Sequence, residues 1–203
     1  MNKLTDVSGI VLGGGLSTRI GHDKGMLMLA GEPLAQRAIA AMGRLFDELI
    51  YVINDPMAAP AYPKIKLAKD EVPHLGPLGG ILAGLKVSKA QRAFVVGYDM
   101  PFVSPELARF LVEYDMDADV VVPVTAGRYE PLHAVYSRNC IPSIADQLAA
   151  GKRQISGFYD KVKVTTVDEP ALRRIDPDLR SFFNINTPDD VKRAVALMDE
   201  DAR

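Results

Sequence analysis

Two basic residues follow a run of glycines early in the chain, in an order that suits phosphate binding. In "GIVLGGGLSTRIGHDKGM", residues 9–26, an apolar run ends in Gly13, Gly14 and Gly15, and Arg19 and Lys24 follow. Glycines at such a point let backbone N–H groups approach a ligand and surround its phosphate oxygens. An arginine fork and a compact lysine charge suit different parts of a triphosphate. The segment therefore predicts a polyphosphate site.

The same segment has a purely structural interpretation. The glycines could form only a tight turn, with both cations in solvent, and glycine-rich loops often match by chance. Two named phosphate-binding motifs are absent from it. His22 follows Gly21 where a P-loop requires lysine, and Thr18 stands where the dinucleotide-binding motif has its third glycine. The loop alone leaves both interpretations open.

An acidic residue stands just after a second apolar run. In "FVVGYDMPF", residues 94–102, Asp99 follows the run and precedes Pro101. Magnesium prefers hard oxygen ligands and is usually held by one or two carboxylates together with substrate phosphates. Asp99 could instead only shape the turn before the proline. Its position after a strand favours the metal interpretation, with Mg²⁺ as the expected cofactor.

Short apolar runs rich in valine and isoleucine are the elements that would position these residues. They cover residues 9–12, 49–53, 93–96 and 120–122, a pattern typical of strands buried on both faces of a parallel sheet. Helical stretches separate them, and the alternation predicts a three-layer α/β fold with a mostly parallel sheet. Ligands of such sheets bind at the carboxyl edge.

The helices are predicted from apolar stripes and start signals. The first begins at Pro33, the second at Ser104, and the last at Thr187, where Asp190 completes a capping box. Their stripes are Leu34, Ala38, Ala41, Met42 and Leu45; Leu107, Phe110, Leu111 and Tyr114; and Val191, Ala194, Val195 and Met198. Residues 129–136 and 161–167 predict further strands in a less regular second half.

Length, charge and cysteine content exclude several classes of function. The chain has 203 residues, 48% of them hydrophobic, which predicts one domain over residues 1–203. With 24 basic and 26 acidic residues, we expect no nucleic-acid or membrane partner. Cys140 is the only cysteine, and His22, His74 and His133 show no metal-ligand spacing, so all four are interpreted as structural or peripheral. No apolar stretch has the length of a signal peptide or membrane span, so we expect a soluble cytoplasmic protein.

The motifs, taken together, resemble one family. "LGGGLSTRIGHDKGML", residues 12–27, resembles the signature loop of the molybdenum cofactor guanylyltransferases, or MobA-type nucleotidyltransferases, usually L-A-G-G-x-S-x-R-M-G-x-D-K. Four further segments resemble the family's C-D-x-P-F, G-P-L-A-G-I, G-x-x-E-P-L-x-A-V-Y and F-x-N-I-N-T-P-E-D motifs, so the likeness runs from residue 9 to residue 193. The resemblance implies a Rossmann-like nucleotidyltransferase fold of the nucleotide-diphospho-sugar transferase type.

The resemblance also implies roles for individual residues. Arg19, Lys24 and Asp99 would be catalytic, and Asp99 would hold the metal, with Asn186 as a further ligand. The implied nucleotide contacts are Leu12, Gly13, Gly14, Gly15, Lys24, Asn54, Asp70, Gly79 and Asp99. Arg128, Lys152 and Arg153 in the acceptor-binding half are candidates for the pterin phosphate. Asn54 could instead form an Asx turn, and capping by Thr187 explains much of the Asn186 segment.

The implied reaction is transfer of GMP from GTP to the molybdenum-molybdopterin cofactor, with release of pyrophosphate. Molybdoenzymes or cofactor-delivery proteins are expected as transient partners. Gly13 and Gly79 stand where the guanine-specific enzymes carry alanine. This departure keeps cytidylyl transfer to the same pterin, or transfer to another small phosphate, as alternatives. A non-catalytic GTP-binding module is a third alternative, although binding alone does not need Arg19, Lys24 and Asp99 together.

Overall fold

A twisted central sheet organises the chain in the computed structural model, which describes residues 2–13, 28–54, 64–69 and 75–201. In chain order the strands of this described part are β1 (Val7–Leu12), β2 (Met28–Leu29), β3 (Glu32–Pro33), β4 (Leu49–Val52), β5 (Ile65–Ala68), β6 (Arg92–Gly97), β7 (Val120–Thr125), β8 (Arg128–Tyr129), β9 (His133–Ser137) and β10 (Val164–Val167). The four apolar runs predicted as strands are confirmed as β1, β4, β6 and β7. Every residue of β1, β4 and β6 is buried, as expected of strands covered on both faces.

Most strands of the main sheet run in one direction. Its order is β10-β7-β9-β6-β1-β4-β5, with β8 paired to β7, while β2 and β3 form a separate hairpin. Strand β9 is antiparallel to both β6 and β7, and the other pairs along this order are parallel. The predicted, mostly parallel sheet is therefore confirmed. The carboxyl ends of β1, β4, β6 and β7 meet at one edge.

The single strand expected over residues 129–136 is a prediction that the structure corrects. The segment divides into β8 and β9, with a turn between them in which the N–H of His133 donates to the carbonyl oxygen of Glu130 at 3.1 Å. Proline at position 131 lacks an N–H donor, which favours a break in the strand there. The turn brings Glu130 to the carboxyl edge.

Six α-helices in the described part of the chain flank the sheet. They are α1 (Leu34–Leu45), α2 (Pro77–Val87), α3 (Pro105–Tyr114), α4 (Ile141–Ala149), α5 (Glu169–Arg173) and α6 (Pro188–Asp201). The hydroxyl of Ser104 accepts a 3.1 Å hydrogen bond from the N–H of Leu107 at the start of α3. The capping box predicted for α6 is confirmed, because Thr187 Oγ1 accepts from the N–H of Asp190 while that carboxylate accepts from the N–H of Thr187.

The helices cover both faces, so the three-layer architecture is confirmed. One core cluster packs α1, α3 and α6 against alternate strand residues such as Val11 and Val96, and the other packs α2 and α4 against residues such as Ile10 and Val95. Helix α2 lies very close to the sheet: a Cβ on Gly84 would be 2.8 Å from Ile10 Cδ1.

Two predicted members of the helix stripes lie outside the core. Tyr114 and Val195 are 42% and 37% exposed. Tyr114 ends α3 and contacts only the ring of Phe110 among the described aromatic residues, at 5.3 Å between centroids. Cys140 and His133 are buried, as their structural interpretation requires. Within the described ranges, none of the helices combines the length and the apolar character that crossing a membrane requires.

Candidate active site

The ends of β1 and β6 leave the sheet side by side. Leu12 and Gly97 are register partners in the two parallel strands. The N–H of Tyr98 donates a 3.1 Å hydrogen bond to the carbonyl oxygen of Leu12 just beyond that pair. The glycine segment that begins at Gly13 and the turn that carries Asp99 therefore start from neighbouring points on the carboxyl edge, where open α/β sheets bind ligands.

The carboxylate of Asp99 folds back over the end of β6. A Cβ placed on Gly97 would lie 2.5 Å from Asp99 Oδ1, so position 97 has no room for any side chain while the carboxylate stays there. Register partners in a parallel pair direct their side chains to the same face of the sheet. Leu12 lies 3.2 Å from the Cβ position of Gly80 in α2. The half-buried carboxylate of Asp99 therefore lies on the α2 side of the edge.

Asn186 lies next to this turn. The N–H of Ile185 donates a 2.9 Å hydrogen bond to the carbonyl oxygen of Asp99, which places Asn186 one residue from the point of contact. The backbone N–H of Asn186 donates to Asp190 Oδ2 at 3.1 Å, so the capping box of α6 also holds the segment. The structure thus brings the segment of Asn186 to the turn that carries Asp99, the other residue proposed as a metal ligand, although the two are 87 positions apart in the chain.

The start of α2 forms the neighbouring wall. Gly76 precedes the helix with a φ of +72°, and Pro77 opens its first turn. Gly79 and Gly80 are buried in that turn. Since the crossover from β5 brings the helix N-terminus to the carboxyl edge, its backbone N–H groups add positive partial charge beside Leu12. This arrangement fits the predicted contacts of Leu12 and Gly79 with a nucleotide.

Of the other residues predicted to contact the nucleotide, some lie in the part of the chain that the structure describes and some do not. Asn54 is exposed two residues beyond the end of β4, at the same edge. Gly14, Gly15, Arg19, Lys24 and Asp70 lie outside the described residues.

The candidate acceptor residues lie farther along the edge, beyond β7. Arg128 lines a cleft of about 360 Å³ together with Tyr129 and Gln154. Lys152 and Arg153 directly precede Gln154 and are exposed, but neither lines the cleft. The structure therefore brings Arg128 to the segment of the two other cations without forming one site from all three.

Sequence reasoning missed Glu130, which lies in the turn between β8 and β9. Its Oε1 accepts a hydrogen bond from the hydroxyl of Thr125, and burial raises the pKa of this half-buried carboxyl. Glu130 lines a second cleft of about 710 Å³ with Phe182 and Phe183. The only sequence signal at Glu130 is that it is the glutamate of the E-P-L motif. Its neighbours Phe182 and Phe183 come about 50 residues later in the chain, so no local pattern links them to it.

Known proteins share both the sequence pattern and the fold. The family model described as the MobA-like NTP transferase domain matches residues 9–167. The chain belongs to the MobA-like NTP transferase family. It is therefore a nucleotidyltransferase, and the binding-only alternative is set aside.

Named relatives of this MobA-like chain cover nearly its whole length. It is 38% identical to a probable molybdenum cofactor guanylyltransferase of Natranaerobius thermophilus, over 94% of this chain and 96% of that protein. It is 37% identical to the molybdenum cofactor guanylyltransferase of Desulfosudis oleivorans, over 95% of this chain and 96% of that one.

Solved structures support the fold. The molybdopterin-guanine dinucleotide biosynthesis protein A of Archaeoglobus fulgidus superposes with a TM-score of 0.84 at 30% identity, covering 96% of this chain and 100% of that chain. The 2-C-methyl-D-erythritol 4-phosphate cytidylyltransferase of Thermus thermophilus superposes with a TM-score of 0.68 at 17% identity, over 94% and 98% of the two chains. The latter likeness concerns the fold alone, and it confirms the predicted nucleotidyltransferase architecture.

One departure of this MobA-like chain from the family motif has a local cause. Gly13 replaces the alanine of the usual L-A-G-G sequence. A Cβ at this position would be 2.7 Å from Tyr51 Cζ and from the carbonyl oxygen of Val52. Atoms cannot approach so closely without displacement, so the buried Tyr51 ring fills the space that an alanine methyl group would need.

Proposed function

We propose that this chain transfers GMP from GTP to the terminal phosphate of the molybdenum-molybdopterin cofactor and releases pyrophosphate. The observation that carries the proposal is the convergence of Leu12, Asp99 and the Asn186 segment on one point of the carboxyl edge. The names of the relatives support the choice of nucleotide and acceptor. The N-terminal half of the domain would then bind the nucleotide, and the C-terminal half would bind the acceptor.

The chemistry needs positioning and charge neutralisation more than proton transfer. An oxygen of the acceptor phosphate forms a new bond to the α-phosphorus of GTP as the bond from that phosphorus to the β-bridging oxygen breaks. The acceptor phosphate is already ionised at neutral pH, so no strong general base and no covalent enzyme intermediate are required. A protein accelerates such a transfer by holding the reactants in line and stabilising the charge that develops on the departing pyrophosphate.

The donor set at the edge suits magnesium. Asp99 offers a half-buried carboxylate and Asn186 an amide oxygen, both hard oxygen ligands. Among the described residues no group of three or more histidine, cysteine or acidic side chains could hold a metal, so a cation here would also need phosphate oxygens from the substrate. Bound there, Mg²⁺ would neutralise charge on the α- and β-phosphate oxygens.

The remaining roles follow from residue chemistry and from the resemblance. Arg19 and Lys24 would stabilise the departing pyrophosphate, and the backbone amides of Gly13, Gly14 and Gly15 would hold the phosphate chain. Asn54, Asp70 and Gly79 would contact the nucleoside. Arg128, Lys152 and Arg153 would attract the acceptor phosphate, and transient contacts with molybdoenzymes or delivery proteins would pass the product on.

The direct test supplies purified protein with the molybdenum-molybdopterin cofactor, Mg²⁺ and each of the four nucleoside triphosphates in turn. Mass spectrometry identifies any dinucleotide formed, and pyrophosphate release is followed in parallel. The proposal predicts the guanine dinucleotide with GTP and at most traces with the others. Formation of the cytosine dinucleotide instead would show that CTP, not GTP, is the nucleotide substrate. The absence of every dinucleotide would overturn the proposal.

A further inference from the structure

Two glycines in and just after β1 each have an aromatic ring where a side chain would be. A Cβ on Gly9 would lie 2.8 Å from Phe46 Cδ2. A Cβ on Gly13 would lie 2.7 Å from both Cζ and the hydroxyl oxygen of Tyr51. Both rings are 1% exposed. The chain therefore has two similar contacts between a glycine and a ring, one within β1 and one just beyond its carboxyl end.

Both contacts lie on the face of the sheet that packs against α1. Alternate residues of a strand direct their side chains to one face, so the two glycines share a face with Val11, which is midway between them. Val11 and its register partner Tyr51 belong to the core cluster that includes the buried residues of α1. Leu12 and the carboxylate of Asp99 lie on the opposite face, with α2. Tyr51 can therefore affect the proposed reaction centre only through the backbone of Gly13.

The backbone of Gly13 is held by the neighbouring strand. Its N–H donates a 2.7 Å hydrogen bond to the carbonyl oxygen of Val52, which continues the ladder between β1 and β4 one residue past Leu12. While this bond is made, that N–H is not available to a phosphate oxygen. The part of Gly13 in the proposed phosphate site is then to fix the point from which the following amides leave the sheet, and contact with the phosphate chain falls to those amides.

The two contacts differ in where they lie along the sheet. Gly9 donates its N–H to the carbonyl oxygen of Glu48 at 2.9 Å, at the start of the ladder with β4. Gly13 lies at the carboxyl edge, where open α/β sheets bind ligands. A ring that only fills the core would have the same effect in either place. The pair of Gly9 and Phe46 is therefore a matched control for the pair of Gly13 and Tyr51.

We propose that Tyr51 is a positioning residue for the phosphate-binding segment. Its ring supports Gly13 from the α1 face and so fixes where the amides of Gly14 and Gly15 meet the phosphate chain of GTP. The assignment rests on the proposed function, which takes these amides as phosphate ligands. Protein interiors are close-packed, so a smaller side chain at position 51 would change the support of the backbone above it. Such a change should weaken phosphate binding although Tyr51 touches no part of the nucleotide.

The test compares the Kd of GTP with the Kd of GMP, both with Mg²⁺, by isothermal titration calorimetry. The two ligands share the base, the ribose and the α-phosphate, so the ratio of their Kd values reports on the rest of the phosphate chain. Tyr51→Leu should weaken GTP binding at least about tenfold and GMP binding less than about threefold, because hydrogen bonds to charged phosphate oxygens are lost. Tyr51→Phe retains the ring and Cζ, so both Kd values should stay within about threefold of wild type.

Phe46→Leu removes a ring from the equivalent contact at Gly9. It should lower the free energy of unfolding, as Tyr51→Leu does, and leave the ratio of the two Kd values unchanged. A second comparison tests whether Tyr51 acts through Gly13. Gly13→Ala should weaken GTP binding in the wild-type background and have at least about threefold less effect in Tyr51→Leu, because substitutions of residues in contact are not additive.

Three results would overturn the assignment. They are an unchanged ratio of GTP to GMP affinity in Tyr51→Leu, an equal change of that ratio in Phe46→Leu, and full additivity of Gly13→Ala with Tyr51→Leu. If Tyr51→Leu does not fold, Gly13→Ala alone should show the selective loss of GTP affinity, and an unchanged ratio there would contradict the proposal.

The binding measurement separates this assignment from the proposed function. It needs neither the acceptor nor turnover, so it can succeed where guanylyl transfer is not observed. If the dinucleotide assay selects CTP, then CTP and CMP replace GTP and GMP, and the same selective loss is expected in Tyr51→Leu.

Discussion

Asp99 and Gly97 are in mutual contact: the carboxylate oxygen Oδ1 of Asp99 occupies a position 2.5 Å from where a Cβ of residue 97 would be. The strand end therefore needs glycine for the carboxylate to reach its place above the edge. This contact links a backbone feature of β6 to the proposed chemistry, and it predicts that activity and stability will respond separately to small substitutions.

Gly97→Ala should reduce kcat by at least about 100-fold, because displacing a reacting group by about 1 Å has effects of that size. The free energy of unfolding should change by less than about 1 kcal/mol, since the obstructing atom is the end of a movable side chain and alanine is tolerated in strands. Steady-state kinetics and urea unfolding measure the two quantities.

Gly84→Ala provides the matched control for that variant. Its methyl group would lie 2.8 Å from Ile10 in the packed interface of α2 and β1. Overpacking of this kind costs about 1–3 kcal/mol, while kcat of the folded fraction should stay near the wild-type value. A wild-type kcat in Gly97→Ala, or the same loss of kcat in both variants, would show that the position of the Asp99 carboxylate does not control the reaction.

The buried ring of His133 should make the stability of the fold fall in acid. Its ring is buried against Phe94 and Phe182, with no hydrogen bond to either ring nitrogen from the described residues. Burial lowers the pKa of His133 from 6.5 to about 3, although the charge of Asp176 acts in the opposite direction. The unfolded chain therefore binds a proton below pH 6.5 that the folded protein excludes, and stability falls as the pH drops from 6.5 to about 3.

The measurement compares chemical unfolding of wild-type protein with that of His133→Leu across this pH range. The difference between the two free energies of unfolding should change by up to about 1.4 kcal/mol per pH unit, in the direction that weakens wild-type protein in acid. Parallel pH curves for the two proteins would contradict a neutral, buried His133.

Glu48 predicts a second acid transition, at the opposite edge of the sheet. Burial alone would raise the pKa of Glu48, but hydrogen bonds from Lys66, Ser8 and the N–H of Lys89 lower it from 4.5 to about 2. The stabilisation is therefore present above pH 4.5 and is lost as the pH falls toward 2. Glu48→Gln should cost about 1–3 kcal/mol at pH 7, shown by urea unfolding, with kcat unchanged. A variant as stable as wild type, with an unaltered acid profile, would refute this role.

Local signals in the sequence were sufficient to predict the three-layer α/β architecture. They were not sufficient to predict every strand pairing or every side-chain contact. The apolar runs of β1, β4, β6 and β7 and the caps at Ser104 and Thr187 are local patterns, so they predict strands and helix starts correctly. The reversed strand β9 depends on pairing between β6 and β7, which no short segment encodes. Nothing near Gly13 indicates that Tyr51 fills the space of the missing methyl group.

The candidate site shows the same division. Asp99 and Asn186 were identified from motifs, and the structure explains their proximity through the Ile185 hydrogen bond. Glu130 was missed as a site residue because its partners in the cleft, including Phe182 and Phe183, are distant in sequence. Sequence patterns predict which segments lie at the carboxyl edge of the sheet. Which of these segments face each other across a cleft depends on the tertiary fold.

The most direct test of the central claim is pyrophosphate release by Asp99→Asn as Mg²⁺ is titrated, with GTP and the molybdopterin acceptor saturating and with thermal unfolding showing a folded variant. The amide keeps the size of the side chain but removes the charge that would hold the cation. If Asp99 holds the cation, the variant should release pyrophosphate at least about 1,000-fold more slowly than wild type at every Mg²⁺ concentration. Near-normal release by Asp99→Asn at limiting Mg²⁺ would contradict it.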